Sequence, residues 1–550
     1  MITAAVIAAA AVRLGAKHLF MLMGGTNMHV IHHFADAGAA LHHLRHENAV
    51  VGAADGYARA TGDVGWSSVI QGPGLTNAMT ALRTAVKARS PQVLLLPDTS
   101  AVPPRQNPFE AGVQGLAADG ILADIGVPVV RVSADTAAHD TVSAYLTAKR
   151  TRSPVALVIP HGVETAASAD DVENATRLVD VTTAPVVPSD AAIDAAEHAL
   201  RDAKQVVILA GRGAAHPEAT ALLARLAELT GAYLATSVKA IGIFNDSPAN
   251  LGIFGGFTHA AGKQAIDEAN CVLAFGASLN HLQTRSSTYL TGKVVVQVDA
   301  DELALNKHDR VAVPVHGDTI VVARTLVSRL EACPLEPARS LPTAPAAEPW
   351  DDVSATDQLD PRAVASTLDR LLPAERTVVV DSGHFTSWPI THMRHRGPDT
   401  MLWTADFGAV GSGIGPSLGA AVGRPDRTTV LVVGDCGFYM AMGDLEVAVR
   451  ERIPLVVACF NDGAAGSELL LAEYADLSPD EAIFGVADLA KAAIGLGASG
   501  VVVESLDDLG HALSAWDRTG PLFLDFHITR AVHAPRYKEY DHRTTDGAER

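Results

Sequence analysis

"VLVVGDCGFYMAMGDLEVAVRERIPLVVACFNDGAAG", Val430 to Gly466, holds the pattern that decides the fold. An apolar run ends in Gly434-Asp435, a stretch of helical length follows, and a second apolar run, "PLVVACF", leads into Asn461. Continuous apolar runs separated by helix-length segments are typical of parallel sheets that are covered by helices on both faces. The stretch therefore predicts two neighbouring parallel strands whose carboxyl ends share one edge of a sheet, where open α/β sheets bind ligands.

The same alternation continues along most of the chain. Further apolar runs such as "VLLLP", "VALVIP", "VVILAG", "VLAFG", "VVVQVD" and "TVVVD" are separated by Ala-rich stretches of helical length. Two segments rich in Pro, Asp and Thr, Asp171 to Asp190 and Ala332 to Pro361, interrupt the alternation and are interpreted as linkers. We therefore predict an α/β fold made of three doubly wound parallel-sheet domains. The predicted domains span residues 1–170, 188–332 and 360–535, and a polar tail follows at 536–550.

The composition argues against several classes of protein. Hydrophobic residues make up 48% of the 550 residues and charged residues 19%, which is typical of a globular α/β protein. The formal charge of −20 repels nucleic acid backbones and anionic membrane surfaces, so neither is an expected partner. The four cysteines lie far apart, which argues against a disulfide framework or a zinc site and favours a cytoplasmic location. The apolar start is followed by Arg13 and Lys17 and predicts an amphipathic helix rather than a signal peptide.

Asp435 and Asn461 end the two neighbouring strands and are separated by 26 positions (461 − 435). Carboxylate and amide oxygens suit Mg²⁺, which completes its coordination with phosphate oxygens and water, and the backbone carbonyl of Gly463 is a candidate third ligand. The backbone amides of "GDCGF" precede a helix and would receive a diphosphate. The stretch therefore predicts a cofactor bound as a magnesium diphosphate. The residues assigned to this site are Gly434, Asp435, Cys436, Gly437, Asn461 and Gly463.

These motifs resemble those of a known enzyme family. The Gly-Asp and Asn-Asp-Gly pair is similar to the metal-diphosphate motif of thiamine diphosphate (ThDP) enzymes, and "RHENAVVGAADGYARATG" (45–62) resembles their N-terminal glutamate motif. "QGPGLTNAMTALRTAVKARSPQVLLL" (71–96) and "DFGAVGSGIGPSLGAAVG" (406–423) follow in the family's order. The resemblance is closest to the group of acetolactate synthase, oxalyl-CoA decarboxylase and benzaldehyde lyase. It implies pyrimidine-binding, central and diphosphate-binding domains, in that order.

The resemblance gives Glu47 a catalytic role. In such enzymes the glutamate hydrogen-bonds the pyrimidine N1′ of ThDP and favours the imino tautomer that takes the proton from thiazolium C2. The resulting ylide attacks a carbonyl carbon, and loss of CO₂ or cleavage of a C–C bond yields an enamine. Taken by itself, an acid at a helix start is more simply a first-turn residue that is favoured by the helix dipole. Gly72 and Asn77, in the segment that follows, are assigned to the cofactor site by the same resemblance.

Other segments are placed at the site by the same resemblance. Val410 aligns with the bulky apolar residue that holds ThDP in its bent conformation, and His384 and Phe385 match a loop that reaches the diphosphate. The loop "MLMGGTNMH" is expected to line the substrate pocket, although an ordinary turn between a strand and a helix is an equally simple interpretation. The pocket residues in that loop are Met23, Gly24, Gly25 and Thr26.

The sequence also departs from the family pattern at Cys436 and Glu110. Cys436 stands where the family favours Gly or another small residue. Glu110 stands where acetolactate synthases and benzaldehyde lyases typically have a Gln that faces the reaction centre. A carboxylate there could act as an acid or base near C2, or repel the carboxylate of a 2-oxo acid, and a solvated loop acid is the alternative.

FAD is not an expected cofactor, because "FGASLNHLQTR" (275–285) lacks the Arg-Phe-Asp pattern of flavin-binding acetolactate synthases. A third hypothesis is a nucleotide- or flavin-dependent oxidoreductase, but "AGRGAAHPEA" (210–219) is only a partial match to the dinucleotide-binding fingerprint that it needs. Six histidines between His29 and His46 are interpreted as solvent or interface features rather than as a metal site.

The sequence therefore predicts a ThDP- and Mg²⁺-dependent carbon–carbon lyase or ligase that acts on a 2-oxo acid or a 2-hydroxy ketone. The alternatives are a non-oxidative decarboxylase of a 2-oxo acid or an acyl-CoA-type substrate, and a ThDP-binding paralogue without turnover. The resemblance also implies a homodimer or homotetramer, because Glu47 of one subunit faces Asp435 and Asn461 of another in such enzymes. The expected partners are thus a small-molecule substrate and further copies of the same chain.

Overall fold

In the described part of a computed structural model, eighteen strands form three sheets, each of six parallel strands, so the predicted α/β class with three doubly wound sheets is confirmed. The structure describes residues 1–100, 113–177, 179 and 184–540. The described residues fall into two compact units. The first comprises those within Met1–Thr182, Ser354–Pro389 and Leu402–Val532, and the second those within Thr183–Val353, Ile390–Met401 and His533–Arg550. The predicted domain boundaries stay predictions.

The first sheet belongs to the first unit. Its strands are β1 (His18–Met21), β2 (Ala40–His43), β3 (Gly65–Ser68), β4 (Gln92–Asp98), β5 (Val129–Arg131) and β6 (Pro154–Pro160). The helices around it are α1 (Thr3–Arg13), α2 (Met28–Asp36), α3 (Glu47–Thr61), α4 (Pro73–Ala88), α5 (Ala118–Asp124), α6 (Ala137–Thr151) and α7 (Val172–Thr176). The strand order is β2-β1-β3-β4-β6-β5, so the direction of winding reverses between β1 and β3.

The second sheet belongs to the second unit. Its strands are β7 (Val206–Ala210), β8 (Tyr233–Thr236), β9 (Asn250–Ile253), β10 (Cys271–Phe275), β11 (Val294–Asp299) and β12 (Val313–His316), in the order β12-β11-β10-β7-β8-β9. The helices around it are α8 (Asp190–Asp202), α9 (Pro217–Thr230), α10 (Ala260–Glu268), α11 (His281–Thr284) and α12 (Thr319–Ala332). The loops after β7 and β10 pack backbone against backbone, since a β-carbon on Gly211 would lie 2.1 Å from the carbonyl oxygen of Gly276.

The third sheet lies in the first unit and repeats the topology of the first sheet. Its strands are β13 (Arg376–Val380), β14 (Met401–Trp403), β15 (Thr428–Gly434), β16 (Leu455–Asn461), β17 (Ser499–Val503) and β18 (Leu522–His527). The α-helices of this part are α13 (Pro361–Leu371), α14 (Ser387–His392), α15 (Ile414–Gly423), α16 (Asp435–Ala441), α17 (Leu445–Arg450), α18 (Gly466–Tyr474), α19 (Leu489–Gly495) and α20 (Leu506–Ala515). Its order, β14-β13-β15-β16-β18-β17, reverses winding between β13 and β15, and such reversal points are where open sheets bind ligands.

Seven short 3₁₀ helices occur in the described part of the chain. They are Arg212–Ala214, Val238–Ala240, Glu302–Ala304, His384–Thr386, Met442–Asp444, Asp480–Ala482 and Pro535–Tyr540. No helix within the described ranges combines the length and the apolar content needed to cross a membrane.

Helices α3 and α15 join the two sheets of the first unit through an unusually close backbone contact. A β-carbon on Gly56 would lie 2.0 Å from the carbonyl oxygen of Pro416, and one on Gly419 would lie 1.8 Å from the carbonyl oxygen of Ala53. Both distances are far below van der Waals contact, so only glycine allows the helices to pack this closely. Glu47 is the first residue of α3, and α15 directly follows the loop that contains Val410.

Replacing Gly419 by Ala should therefore lower the stability of the first unit by about 2 kcal/mol, the usual effect of overpacking a core. The direction of this change in stability is informative, because helix propensity alone favours Ala over Gly by roughly 1 kcal/mol and would raise the stability. Gly510→Ala is the matched control, since Gly510 lies in α20 and its β-carbon would meet no atom closer than 3.9 Å. Thermal unfolding followed by circular dichroism should show a lower midpoint for Gly419→Ala and an unchanged or higher one for Gly510→Ala.

Candidate active site

The third sheet brings Asp435 and Asn461 to one edge, at the carboxyl ends of adjacent strands. β15 and β16 pair in parallel with Gly434 opposite Phe460, so Asp435 begins α16 beside the end of β16. The backbone amide of Gly463 donates a hydrogen bond of 2.8 Å to Oδ2 of Asp435, and the amide of Cys436 donates one of 2.7 Å to Oδ1. The bond from Gly463 connects the two strand ends directly.

The side chain of Asn461 presents an oxygen that nothing in the described part of the chain satisfies. Its Nδ2 donates to the carbonyl oxygen of Ala487 at 2.9 Å and to Oδ1 of Asp525 at 3.0 Å. Its Oδ1 is buried and has no hydrogen-bond partner among the described residues. Because a buried polar atom without a partner is costly, this oxygen fits a hard cation such as Mg²⁺.

Three buried carboxyl groups, those of Asp435, Asp462 and Asp525, lie close to Asn461 in the fold. Burial raises the pKa of Asp435 to about 6, and burial together with the charge of Asp435 raises the pKa of Asp462 to about 7. Burial also raises the pKa of Asp525, which is 0% exposed. A bound divalent cation would offset this concentration of negative charge, so the residues present fit the predicted metal.

The predicted third ligand, the carbonyl oxygen of Gly463, accepts hydrogen bonds from the backbone amides of Phe484 at 3.0 Å and Gly485 at 2.9 Å. Gly463 has a φ of +66°, and a β-carbon there would lie 2.5 Å from the backbone of Gly485, which explains the glycine. In this conformation both lone pairs of the carbonyl are used. Ligation by Gly463 therefore requires the segment at 484–485 to move, and it stays a prediction.

The stabilising effect of Mg²⁺ with inorganic diphosphate should depend on pH. The folded-state pKa values of about 6 for Asp435 and about 7 for Asp462 exceed the ordinary value of 3.8. Burial of these groups therefore lowers the free energy of unfolding least below about pH 4, where both are protonated. Their contribution to stability falls as pH rises through 6 to 7, and a bound cation restores it. The increase in melting temperature caused by the two ligands should be larger at pH 8 than at pH 5. An equal increase at both pH values, measured by scanning fluorimetry against an EDTA control, would contradict this.

The loops at the reversal point bring the remaining predicted diphosphate residues together. Phe385 is buried and packs against Gly434, where a β-carbon would lie 3.0 Å from its ring. His384 begins the 3₁₀ helix His384–Thr386 and lies beside Gly466, the first residue of α18. Burial, followed by the charge of Asp435, raises the pKa of the Cys436 thiol to about 11, so the thiol is neutral at physiological pH.

Asp381 is a site residue that the sequence analysis missed. Its fully buried carboxylate accepts backbone amide hydrogen bonds from Ser382 at 2.8 Å, Gly411 at 3.0 Å and Ser412 at 3.1 Å. A β-carbon on Gly437 would lie 2.6 Å from its Oδ2, so the same carboxylate requires a glycine in α16. Asp381 thereby fixes the loop that presents Val410. The available signal was its position directly after the apolar run "TVVVD" at a strand end.

Glu47 and Asn77 lie together in the first sheet's part of the unit. Glu47 is 8% exposed and begins α3, and Nδ2 of Asn77, on α4, donates to its Oε2 at 3.0 Å. Gly72 precedes α4 with a φ of +61°, and a β-carbon there would lie 2.3 Å from the carbonyl oxygen of Gln114. The structure therefore places these three predicted residues around the start of two adjacent helices.

The segment before Glu47 is anchored to the helices of the third sheet. The amide of Arg45 donates to Oδ1 of Asp444 at 2.7 Å, and Nδ1 of His42 lies 2.6 Å from Oε2 of Glu451. Nε2 of His42 in turn lies 3.0 Å from Nδ1 of His18. Burial, then the neighbouring His42, lowers the pKa of His18 to about 4. His42 thus joins the two sheets of the unit.

The predicted substrate loop lies between β1 and α2, next to the end of β3. A β-carbon on Gly24 would lie 2.5 Å from Ile70, so contact with Ile70 alone explains this glycine. Thr26 has a buried hydroxyl without a partner among the described residues, whereas Met23 and Gly25 are exposed. Glu110 lies outside the described residues.

A cavity of about 230 Å³ opens between α3, α4, α15 and α16 of the first unit. The residues that line it include Asn77, Val410, Gly411, Met440 and Asp444. Glu47, Asp435 and Asn461 are not among its lining residues. The cavity in this chain therefore borders the predicted wedge at Val410 without containing the predicted acid or the predicted metal ligands.

Three domain families match the chain in succession. Residues 1–110 match the family described as "Thiamine pyrophosphate enzyme, N-terminal TPP binding domain". Residues 193–326 match "Thiamine pyrophosphate enzyme, central domain". Residues 381–526 match "Thiamine pyrophosphate enzyme, C-terminal TPP binding domain". Pyrophosphate is the older name of the diphosphate, so the three matches agree with the domain order that the resemblance implies.

Relatives match over nearly the whole chain at low identity. Sulfoacetaldehyde acetyltransferase of Alcaligenes xylosoxydans xylosoxydans is 26% identical, over 91% of this chain and 87% of the relative. The acetolactate synthase large subunit of Parasynechococcus marenigrum is 28% identical, over 94% of this chain and 86% of the relative. The solved structure of a Rhodococcus jostii thiamine diphosphate-dependent 4-hydroxybenzoylformate decarboxylase has a TM-score of 0.81 and 18% identity, covering 96% of this chain and 100% of that one. This last similarity supports the fold alone.

Proposed function

We propose that this chain, which belongs to the family of thiamine pyrophosphate enzymes, is a ThDP- and Mg²⁺-dependent carbon–carbon lyase or ligase that acts on a 2-oxo acid or a 2-hydroxy ketone. The observation that carries the proposal is the unpartnered, buried Oδ1 of Asn461 beside the carboxylate of Asp435. A carboxylate and an amide oxygen at adjacent strand ends form a pair of hard ligands. Asp435 follows β15 and so borders the reversal point between β13 and β15, where a diphosphate group would be bound.

The protein's residues have separate tasks in this proposal. Asp435 and Asn461 would hold Mg²⁺, and the amides at the start of α16 would face the diphosphate. Glu47 would hold a proton on the pyrimidine side of the cofactor, with its carboxylate oriented by the hydrogen bond from Asn77. Val410 would shape the bound cofactor, and Asp381 would fix the Val410 loop. When bound, ThDP supplies the electron sink for breaking or forming a bond to a carbonyl carbon.

We propose further that the active enzyme is a homodimer or a larger homo-oligomer with active sites at a subunit interface. Apolar side chains remain exposed on the loop and helices next to the candidate site, with Met440 67% exposed. The others are Val410, Tyr439, Met442 and Phe484. Contiguous exposed apolar surface on a folded protein marks an interaction site.

The names of the relatives and the identity of residue 110 both bear on the type of reaction within this class. The names of the relatives, an acetyltransferase and acetolactate synthases, favour group transfer or ligation over simple decarboxylation. Glu110 stands where acetolactate synthases typically have Gln, so a carboxylate near the reacting carbon would disfavour pyruvate by charge repulsion. Glu110→Gln should then gain activity with pyruvate if Glu110 faces the substrate.

The test has two stages. Calorimetric titration with ThDP should show binding that requires Mg²⁺, and sedimentation should show that the ligand-bound form is at least a dimer. A screen of 2-oxo acids and acyloins with product analysis then separates ligation, cleavage and decarboxylation. Absence of ThDP binding would overturn the proposal, while binding without turnover of any substrate in the screen would favour a paralogue without activity. An active monomer would overturn the proposed interface site.

A further inference from the structure

Asp525 is a fully buried carboxylate that the proposed function leaves without a task. It lies on β18, which pairs in parallel with β16 so that Cys459 is opposite Asp525 and Asn461 is opposite His527. Asp525 and His527 therefore lie close to the end of β16, which carries the proposed metal ligand Asn461. A buried acid at such a position is retained only if its oxygens are well satisfied.

Both oxygens of Asp525 accept hydrogen bonds from groups on different elements. Oδ1 accepts from Nδ2 of Asn461 at 3.0 Å, and Oδ2 accepts from the backbone amide of Leu489 at 2.8 Å, the first residue of α19. Nε2 of His527 lies 3.6 Å from Oδ2 and adds a weaker electrostatic contact. The carboxylate therefore lies between the side chain of Asn461 and the start of α19.

These contacts determine which way the amide of Asn461 faces. Its two Nδ2 hydrogens are directed to the carbonyl oxygen of Ala487 and to Oδ1 of Asp525. If the amide turned by half a rotation, its oxygen would face two acceptors and both hydrogen bonds would be lost. Oδ1 of Asn461, which has no partner among the described residues, is consequently held on the side away from Asp525.

We propose that Asp525 is a positioning residue for the metal: it orients the amide of Asn461 so that Oδ1, rather than Nδ2, faces the cation shared with Asp435. This inference rests on the proposed function, because it assigns a partner to one of the metal ligands. Residues that orient metal ligands change metal affinity by about 10- to 100-fold when they are replaced. Asp525 would act on the cation only through Asn461.

A purely structural role for Asp525 predicts a different effect of its replacement on metal affinity. If Asp525 served only to cap α19 through Leu489, its loss would lower stability without a specific effect on metal affinity. Asp488→Ala is the matched control for that role, because Asp488 caps the same helix by accepting from the amide of Lys491 at 2.9 Å and has no hydrogen bond to Asn461 in the structure. Asp488→Ala should lower the melting temperature and leave metal affinity unchanged.

The decisive variant is Asp525→Asn, which keeps the size of the side chain. If its oxygen accepts from Leu489, its NH₂ group faces Nδ2 of Asn461, donor against donor, and the amide of Asn461 is driven to turn. The affinity for Mn²⁺ in the presence of ThDP, measured by electron paramagnetic resonance, should fall by about 10- to 100-fold. The reciprocal double variant Asn461→Asp with Asp525→Asn restores a donor–acceptor pair and should recover part of that loss, as a double-mutant cycle would show.

The outcomes separate this inference from the function on which it rests. If the wild-type protein does not bind Mn²⁺ with ThDP, the proposed function fails. If the wild type binds but Asp525→Asn binds equally well, or no more weakly than Asp488→Ala, the positioning role is overturned. If Asp525→Asn does not fold, the double variant is compared with Asn461→Asp alone, in which two carboxylates face each other: tighter Mn²⁺ binding by the double variant supports the role, and equal or weaker binding contradicts it.

Discussion

Glu47→Gln should lower kcat by about two to four orders of magnitude, the range that a positioned acid–base group contributes. The amide keeps the size of the side chain and can still accept the hydrogen bond from Nδ2 of Asn77, which is 3.0 Å long in the native protein. It cannot exchange a proton with the pyrimidine, however, so the loss should appear in kcat. Calorimetric binding of ThDP and Mg²⁺ should stay close to that of the wild type.

Exchange of the thiazolium C2 proton with deuterated solvent tests Glu47 without knowledge of the substrate. The wild-type protein should accelerate the exchange, followed by NMR, and Glu47→Gln should not. Glu302→Gln is a suitable control, because Glu302 is an exposed acid in the second unit. With this variant the C2 proton should exchange at the same rate as with the wild type. Equal acceleration by the wild type and by Glu47→Gln would show that Glu47 is only a first-turn residue of α3.

Asp435→Asn should weaken the binding of Mg²⁺ in the presence of ThDP by more than about 100-fold, since even residues that merely orient a ligand change metal affinity by 10- to 100-fold. The substitution removes the negative charge from the pair formed with Asn461. It also places an NH₂ group against one of the backbone amides of Cys436 and Gly463, which donate to the native carboxylate at 2.7 and 2.8 Å. Calorimetry with Mg²⁺ and ThDP measures the effect.

Asp462→Asn separates ligation from general electrostatic attraction. Asp462 is buried next to Asn461, and its pKa of about 7 is raised first by burial and then by Asp435, but it has no proposed contact with the cation. Its replacement should reduce metal affinity far less than Asp435→Asn. Similar losses in both variants would mean that the cluster attracts the cation by charge alone and that Asp435 is not a ligand.

The sequence was sufficient to predict the edge of the sheet but not the contacts that stabilise it. Asp435 and Asn461 follow apolar runs, and parallel strands carry such residues to one edge, so their neighbourhood could be predicted. The role of Asp381 depends on amides at 411 and 412, whose approach is set by the conformation of a loop. Asp525 meets Asn461 only because β18, and not β17, pairs with β16, an order that the sequence pattern does not specify.

Gly24, in the loop between β1 and α2, is a second case in which the sequence does not specify a contact. The resemblance assigned Gly24 to the substrate pocket, yet the nearest constraint on it is the side chain of Ile70. Which neighbour excludes a β-carbon is a property of three-dimensional packing, and a pair such as Gly24 and Ile70 lies far apart in the sequence. The confirmed parts, the parallel α/β sheets and the enzyme family, are those that depend on local periodicity and on extended motifs.

The close contact of α3 and α15 restricts how chimeric enzymes can be assembled from this chain and its relatives. A chimera with a foreign N-terminal domain would combine a foreign α3 with the native α15, and a side chain at either Gly56 or Gly419 would force the two helices apart. Recombination should therefore take residues 47–61 and 414–423 from the same parent, although 353 positions separate them (414 − 61). Exchange of the central domain alone, which contains neither helix, leaves this pair intact.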